Sequence, residues 1–319
     1  MERSPESHPQ AGVDYPGTWP AFREWFPDDA ACAAFLERRR WPEGFVCPAC
    51  GHAGGWRVGG GRWWMCGACA RKTSVTAGTI FDGTRTPLSS WFAAAWFVTN
   101  QKQGLSALGL QRTLGLGSYQ TAWMMLHRFR VAMVRPDRER LSGRIEVDES
   151  YVGGHEDWAR GRQTETKSRV AIAVEVLEPR GFGRIRLQRV PDVSKASLIG
   201  FVKASVEPGA TVCTDGWRSY LTLPDHGYTH NRIVMTDAND AAHVAMPGAH
   251  RVASLLKRWL LGSHQGAVEP RHLDAYLNEF TFRFNRRRSQ RRGLLFYRLL
   301  DQAVHTPPTP YKAIIGGKS

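Results

Sequence analysis

No stretch of this 319-residue sequence is long and apolar enough to span a bilayer. Its first residues also lack the basic-then-apolar layout of a secretory signal, so a cytoplasmic protein is expected. Cysteine is scarce: of six, four form one spaced group, while Cys32 and Cys213 stand apart. That distribution argues against a disulfide scaffold and for a reducing compartment with a bound metal. Acid is also in deficit, with 29 Asp+Glu against 43 Lys+Arg and a formal net charge of +14. Such a balance favours a polyanionic partner through phosphate neutralisation, although a basic soluble protein need not bind nucleic acid. What is plentiful is apolar: 42% hydrophobic residues, with 12 Trp and 14 Phe, give a globular chain long enough for two or three domains.

The first chemical signal is Cys47-Pro-Ala-Cys50 followed by Cys66-Gly-Ala-Cys69. Each pair lets two thiolates reach one tetrahedral zinc, and the residues between the pairs suffice for a hairpin. Gly59, Gly60 and Gly61 supply turns, and Trp56, Trp63 and Trp64 an apolar surface. The alternative is a pair of redox motifs; matched pairs so spaced read as a structural site, closed to catalysis because four Cys leave no open position. Arg57, Arg62, Arg71 and Lys72 would suffice for phosphates without reading bases.

On the N-terminal side, polar residues 1–18 precede one or two short helices ending at Trp41-Pro42. Beyond the cysteines, Pro87 opens a helical run to Asn100. A short helix to about Leu110 follows, then the turn Leu114–Gly117, and Ser118 caps a third helix to about Met133, with Trp123, Leu126, Phe129 and Val131 as partial core. Short helix, glycine turn and longer helix is the helix-turn-helix layout, which would aim Tyr119, Gln120 and Thr121 at base edges. A plain helical linker is the competing reading.

After the charged linker Val134–Arg140 the pattern changes to strands. Within Arg144-Ile-Glu-Val-Asp-Glu-Ser-Tyr-Val-Gly-Gly154, apolar and acidic residues alternate across Ile145–Asp148, so Ile145 and Val147 anchor one face while Asp148 points from the other. Val170–Val176 and Gly183–Val190 read as two more strands, Ser194 caps a helix, and Thr211–Cys213 is a short buried strand leading to Asp215. These elements fit a mixed sheet covered by helices. Two carboxylates held close by neighbouring strands repel unless a cation joins them. Hard oxygen ligands suit Mg²⁺ or Mn²⁺, and phosphodiesters are natural substrates of a two-metal site.

The C-terminal part is helical, with apolar faces on Val252–Leu260 and Leu273–Phe284. Residues 283–298 carry seven Arg and no acid, so Arg283, Arg286, Arg287, Arg288, Arg291 and Arg292 form a candidate phosphate surface; a solvated charge run is the bland alternative.

Taken together, Ile145–Gly154, Thr214-Asp-Gly-Trp-Arg-Ser-Tyr220, Ser254-Leu-Leu-Lys-Arg258 and Glu279–Arg287, with the cysteine pairs ahead of them, resemble the IS1595-type (ISXO2-like) insertion-sequence transposases. The resemblance covers about residues 20–304. It implies an RNase H-like domain with a mixed five-stranded sheet and flanking helices, and DDE-type DNA transposition. Asp148 matches the first catalytic aspartate and Asp215 the second. The third position, four before Ser254, holds His250, where the commonest pattern has an acid or amide. Lys257 lies seven beyond it on one helical face, and some subgroups carry the same Asp-Asp-His-Lys pattern. Imidazole ligates Mn²⁺ more naturally than Mg²⁺, or could move protons near neutral pH. Glu146, Glu149, Asp237 and Asp240 remain acids without an assigned role.

The expected organisation is thus a loose segment with short helices (1–42), a zinc ribbon (43–82), a helix-turn-helix-like region (84–135), an RNase H-like catalytic domain (141–304) and a tail (305–319). The expected function is a transposase acting on double-stranded element ends and target DNA, as a homodimer or larger assembly. The alternatives are an inactive DNA-binding regulator derived from such an enzyme and an RNase H-like nuclease.

Overall fold

The computed structural model describes residues 8–135, 137–154, 166–177, 179, 181–233, 246–266 and 268–316. They fall into two compact units, one of residues 8–135 with 289–316, the other of residues 137–288.

The first unit begins with α1 (Trp19–Trp25) and α2 (Asp29–Arg40), each started by a side-chain cap. Thr18 accepts from the Ala21 N–H and Asp28 from the Ala31 N–H. A three-stranded antiparallel ribbon follows, with β1 (Gly55–Val58), β2 (Trp63–Cys66) and β3 (Lys72–Thr73). The β1–β2 turn runs through Gly59, Gly60 and Gly61, all at positive φ, where a side chain would be strained. Then come α3 (Leu88–Asn100), α4 (Ala107–Leu114) and α5 (Tyr119–Ala132). Pro87 makes no side-chain cap for α3; Asp29 accepts from the Leu88 and Ser89 N–H groups instead.

Two C-terminal helices, α9 (Arg292–Ala303) and α10 (Tyr311–Ile314), complete this unit. Here the structure corrects the expected boundary at residue 304. Phe296 lies in an aromatic core with Phe22, Phe26, Phe92 and Trp96, the Phe22–Phe296 centroids 5.5 Å apart. The burial of that aromatic face assigns α9 to the N-terminal unit.

The second unit is a five-stranded sheet in the order β6-β5-β4-β7-β8. Its strands are β4 (Arg144–Val152), β5 (Ser168–Val176), β6 (Phe182–Val190), β7 (Thr211–Thr214) and β8 (Thr229–Arg232). The first three pair antiparallel; β7 joins β4, and β8 joins β7, in parallel. One face buries Ile145, Val147, Ala171, Ala173 and Val212 against α6 (Lys195–Ser205), through Leu198 and Val202. The other packs Val170, Ile172 and Val174 against α7 (Pro247–His264) and α8 (Leu273–Asn285), through Val252, Leu256, Leu277 and Phe280. A mixed sheet with this order, covered on both faces, is the RNase H-like architecture expected. β8, absent from the strand reading of the residues, is a polar edge strand.

Candidate metal centre and nucleic-acid surfaces

In the ribbon, the Sγ atoms of Cys47, Cys50, Cys66 and Cys69 all lie within 4.8 Å of one another. Cys47 and Cys69 are 3.7 Å apart, and Cys50 and Cys66 3.6 Å. Four thiolates placed tetrahedrally at a zinc–sulfur distance of about 2.3 Å would be separated by about 3.8 Å, so the cluster fits that ion. Backbone N–H groups of Cys69 and Ala68 point at the Cys66 sulfur and bring its thiol down to about 6; those of Ala49 and Cys50 lower Cys47. Preformed amide donors favour the thiolates that a metal requires. Around the cluster, Trp41, Phe45 and Trp64 form a small core, with Phe45 stacked on Trp64 at 5.1 Å. Arg57 is drawn into this module: it lies over Trp64, donates to Glu37 and bonds the Gly61 carbonyl. Arg62, Arg71 and Lys72 remain exposed.

The second candidate centre lies where β4, β7 and α7 meet. The parallel β4–β7 register pairs Arg144 with Thr211, Ile145 with Val212 and Glu146 with Cys213, a constant offset of 67. The pairing ends there; the same offset continued past the end of β7 at Thr214 would bring Asp215 level with Asp148. Each carboxylate is steadied by a backbone amide: Asp148 Oδ1 accepts from the Glu149 N–H at 2.8 Å, and Asp215 Oδ1 from the Trp217 N–H at 3.0 Å. His250, on the first turn of α7, sets its Nε2 3.9 Å from Asp148 Oδ2. That gap is too long for a hydrogen bond. It lies inside the limit of about 4.2 Å for two ligands each about 2.1 Å from one small divalent ion.

The charge environment also suits a cation. Tyr220 is fully buried and donates its hydroxyl to Glu149 Oε1 at 2.5 Å. Burial, then Glu149, Asp148 and Asp215, raise its phenol well above the usual range, so it stays a proton donor. Three carboxylates therefore act on one buried hydroxyl. The set is more open than the ribbon: among the described residues, the four cysteines are the group of three or more ligands closed to within 4.8 Å. As a donor set, two carboxylates and an imidazole fit Mn²⁺ or Mg²⁺.

Glu146, left without a role by its sequence position, lies on the Asp148 face of β4, two residues away and 3% exposed. It accepts the Ala249 N–H at 2.9 Å and is also held by the Gly248 N–H, at the start of α7. Period two in β4 already placed Glu146 on the Asp148 side; that a helix begins there was not in the pattern. Asp237 and Asp240 lie outside the described residues. Lys257 is exposed on α7, two turns beyond His250.

Of the residues expected to face bases, Tyr119 and Gln120 are exposed at the start of α5. Thr121 is half-buried, with its hydroxyl 2.9 Å from the Ser118 cap. Gly115 closes α4 in the left-handed conformation, giving helix, turn, helix. The buried face of α5 runs through Ala122, Met125, Leu126 and Phe129, and Val131 is exposed, contrary to its expected place in the core.

The arginine run does not behave as one surface. Arg283 is paired with the fully buried Glu279 at 2.9 Å. Arg286 lies over Phe282 and bonds its carbonyl; Arg287 lies over Phe284 and donates to the Phe182 and Gly183 carbonyls. Arg288 and Arg291 are exposed and Arg292 is half-buried, with the unit boundary falling between Arg288 and Ser289.

Two parts of the chain match known families. Residues 140–285 match the model of the ISXO2-like transposase domain, and residues 27–72 that of the transposase zinc-ribbon domain. A protein of Halobacterium salinarum, described as an uncharacterized protein in transposable element ISH50, is 29% identical over 276 residues, covering 81% of this chain and 91% of its own length. An uncharacterized transposase-like protein of Haemophilus influenzae is 30% identical over 96 residues, covering 30% of this chain and 76% of its own length. Among the described residues, no helix is long and apolar enough to cross a membrane.

Proposed function

The chain belongs to the ISXO2-like transposases, and from that premise we propose that it cuts the ends of an insertion sequence and joins them to target DNA, with Asp148, Asp215 and His250 as one catalytic constellation. The observation that supports this reading is His250 Nε2 3.9 Å from Asp148 Oδ2, beside a parallel β4–β7 register that runs toward Asp148 and Asp215. Bound divalent cations would lower the pKa of the attacking oxygen and stabilise the leaving one.

In the first step water attacks the phosphorus at the element end; the P–O3′ bond breaks and leaves a 3′-hydroxyl. In the second, that hydroxyl attacks a target phosphodiester, and one P–O bond forms as another breaks. Asp148 and Asp215 would supply the negative charge that holds the cations, and His250 would add a ligand from α7. Lys257 on the same helix would meet DNA phosphate. Tyr119 and Gln120 present donors and acceptors for base edges. Arg288 and Arg291, exposed members of the arginine run, would hold the backbone with Arg62, Arg71 and Lys72 of the zinc-bound ribbon. Coupling two ends requires at least a homodimer on DNA.

The test is a strand-transfer assay with purified protein and the inverted repeats flanking its gene, in Mg²⁺ and in Mn²⁺. Joined products that vanish in Asp148→Asn support the reading. Sequence-specific end binding without cleavage in either metal would favour a regulator, and cleavage indifferent to end sequence without joining would favour a nuclease.

A further inference from the structure

We infer that Glu146 is a positioning residue that fixes the first turn of α7 and so sets His250 against Asp148; this deepens the proposed catalytic reading and rests on it. The argument begins with a conflict. A carboxylate at 3% exposure is expensive to keep in a sheet core unless its oxygens are satisfied. Here Oε2 accepts the Ala249 N–H at 2.9 Å, with Gly248 N–H as a second donor. Both N–H groups belong to the first turn of a helix, where amides lack intrahelical partners and the dipole favours negative charge. Met246, the residue before the helix, makes no side-chain cap, so Glu146 supplies the cap from a neighbouring strand.

The packing leaves little alternative. A Cβ placed on Gly248 would meet Glu146 Oε2 at 2.9 Å and the Phe182 ring at 2.9 Å. Glycine at 248 therefore lets the helix start descend onto the carboxylate. His250 lies two residues beyond that contact, and Asp148 two residues beyond Glu146 on the same face of β4. One strand thus carries both the anchor of the helix and the partner of the helix's histidine. A shift of the α7 start moves His250 relative to Asp148 directly, and misplacement of about 1 Å can cost about a hundredfold in rate. Nothing requires Glu146 to touch DNA or metal.

The test combines Mn²⁺ binding by electron paramagnetic resonance, single-turnover strand transfer and hydrogen exchange, with melting temperature as the fold control. Glu146→Ala is expected to weaken Mn²⁺ binding about tenfold or more, as loss of the groups that orient a ligand does. The double variant with His250→Ala should bind no worse than the weaker single, because both changes remove the same ligand. Glu146→Gln, whose amide oxygen can accept the same two N–H groups, should retain most of the affinity. Wild-type affinity in Glu146→Ala, or losses that multiply in the double variant, would overturn the inference. If Glu146→Ala does not fold, Gly248→Ala carries the same comparison, with the same two outcomes. Hydrogen exchange across residues 246–250 without added metal separates this inference from the functional reading. Fast exchange in the wild type overturns the anchor whether or not DNA is joined. Slow exchange that becomes fast in Glu146→Ala, with no strand transfer by the wild type, sustains the anchor and overturns the transposase reading alone.

Discussion

In the ribbon, four sulfurs arrive from two turns between Cys47 and Cys69, with their sulfur-directed amides already in the turns that carry them. The set of Asp148, Asp215 and His250 comes from a long strand, the end of a short one and the first turn of a helix. The ribbon's ligands are brought together by spacing; the proposed second set would be brought together by sheet register and by the Glu146 contact with α7. The difference predicts how each fails. A local site is lost as a folding unit when a ligand goes, because metal binding and folding of the module are one free energy. A site assembled from distant elements on a complete core can lose a ligand and keep its fold, since the cores on both sheet faces do not depend on the ligands.

The largest expected effect is therefore in the ribbon. Cys66→Ser should release zinc and unfold that module, removing about 10 kcal/mol or more of metal-coupled folding energy. Metal analysis and hydrogen exchange would read it: a bound zinc near one per chain in wild type, near zero in the variant, with sheet-unit protection unchanged.

A mutation inside the sheet unit sharpens the contrast, since there a partly buried ion pair rather than a metal ties strands. Arg184 donates from its guanidinium to both oxygens of the buried Glu175, at 2.7–3.1 Å, while its own N–H bonds the same carboxylate at 2.7 Å. Arg184→Leu leaves that carboxylate with backbone donors alone and, with Arg184 about a third exposed, should cost about 2 kcal/mol in urea unfolding. Next comes His250→Ala, expected to lose about tenfold to a hundredfold in Mn²⁺-supported joining with no change in melting temperature. A melting loss as large as that of Arg184→Leu would mean the histidine is structural.

The two buried glutamates then make opposite pH predictions. Against the cost of burial, the Arg184 hydrogen bonds and charge hold Glu175 below its usual 4.5. Its contribution is present above the unfolded value and lost as pH falls through the lowered folded one. Burial raises Glu146 above 4.5, despite the Ala249 and Gly248 amides, so its contribution is present at low pH and lost as pH rises through the raised value. Relative to wild type, Glu146→Gln should gain stability as pH rises above 4.5, and Glu175→Gln should gain it as pH falls below 4.5. Urea titrations on both sides of that value check the signs.

The smallest effect concerns the arginines. Arg288→Gln should lower the salt slope of DNA binding by up to about one unit, equally for specific and random duplexes. Arg287→Gln, whose guanidinium is committed to three carbonyls, should change stability more than slope. The reverse order would restore the single phosphate surface that the run of seven arginines suggested.

What could be read from residues alone follows the same division. The paired Cys spacing and the Ile145–Asp148 alternation expose ribbon and strand because each is a local pattern. The Thr229–Arg232 strand escaped because an exposed edge lacks the apolar alternation that marks a half-buried one. Phe296 shows that α9 has an apolar face, yet no periodicity says which core receives it. Arg283 and Arg287 looked free because their partners, Glu279 and the Phe182 and Gly183 carbonyls, are fixed by tertiary packing. The helix resting on Glu146 is about a hundred residues away, and only the folded sheet brings them together.

The central claim is that Asp148 and Asp215, toward which the parallel β4–β7 register runs, act as one site. Single-turnover strand transfer in Mn²⁺ by Asp148→Asn, Asp215→Asn and the double variant, at concentrations where all bind end DNA, tests it most directly. Each single variant should lose about a thousandfold or more, and the double should be no slower than either, because one loss dismantles the whole. A single variant that joins DNA at the wild-type rate, or losses that multiply in the double, would contradict it.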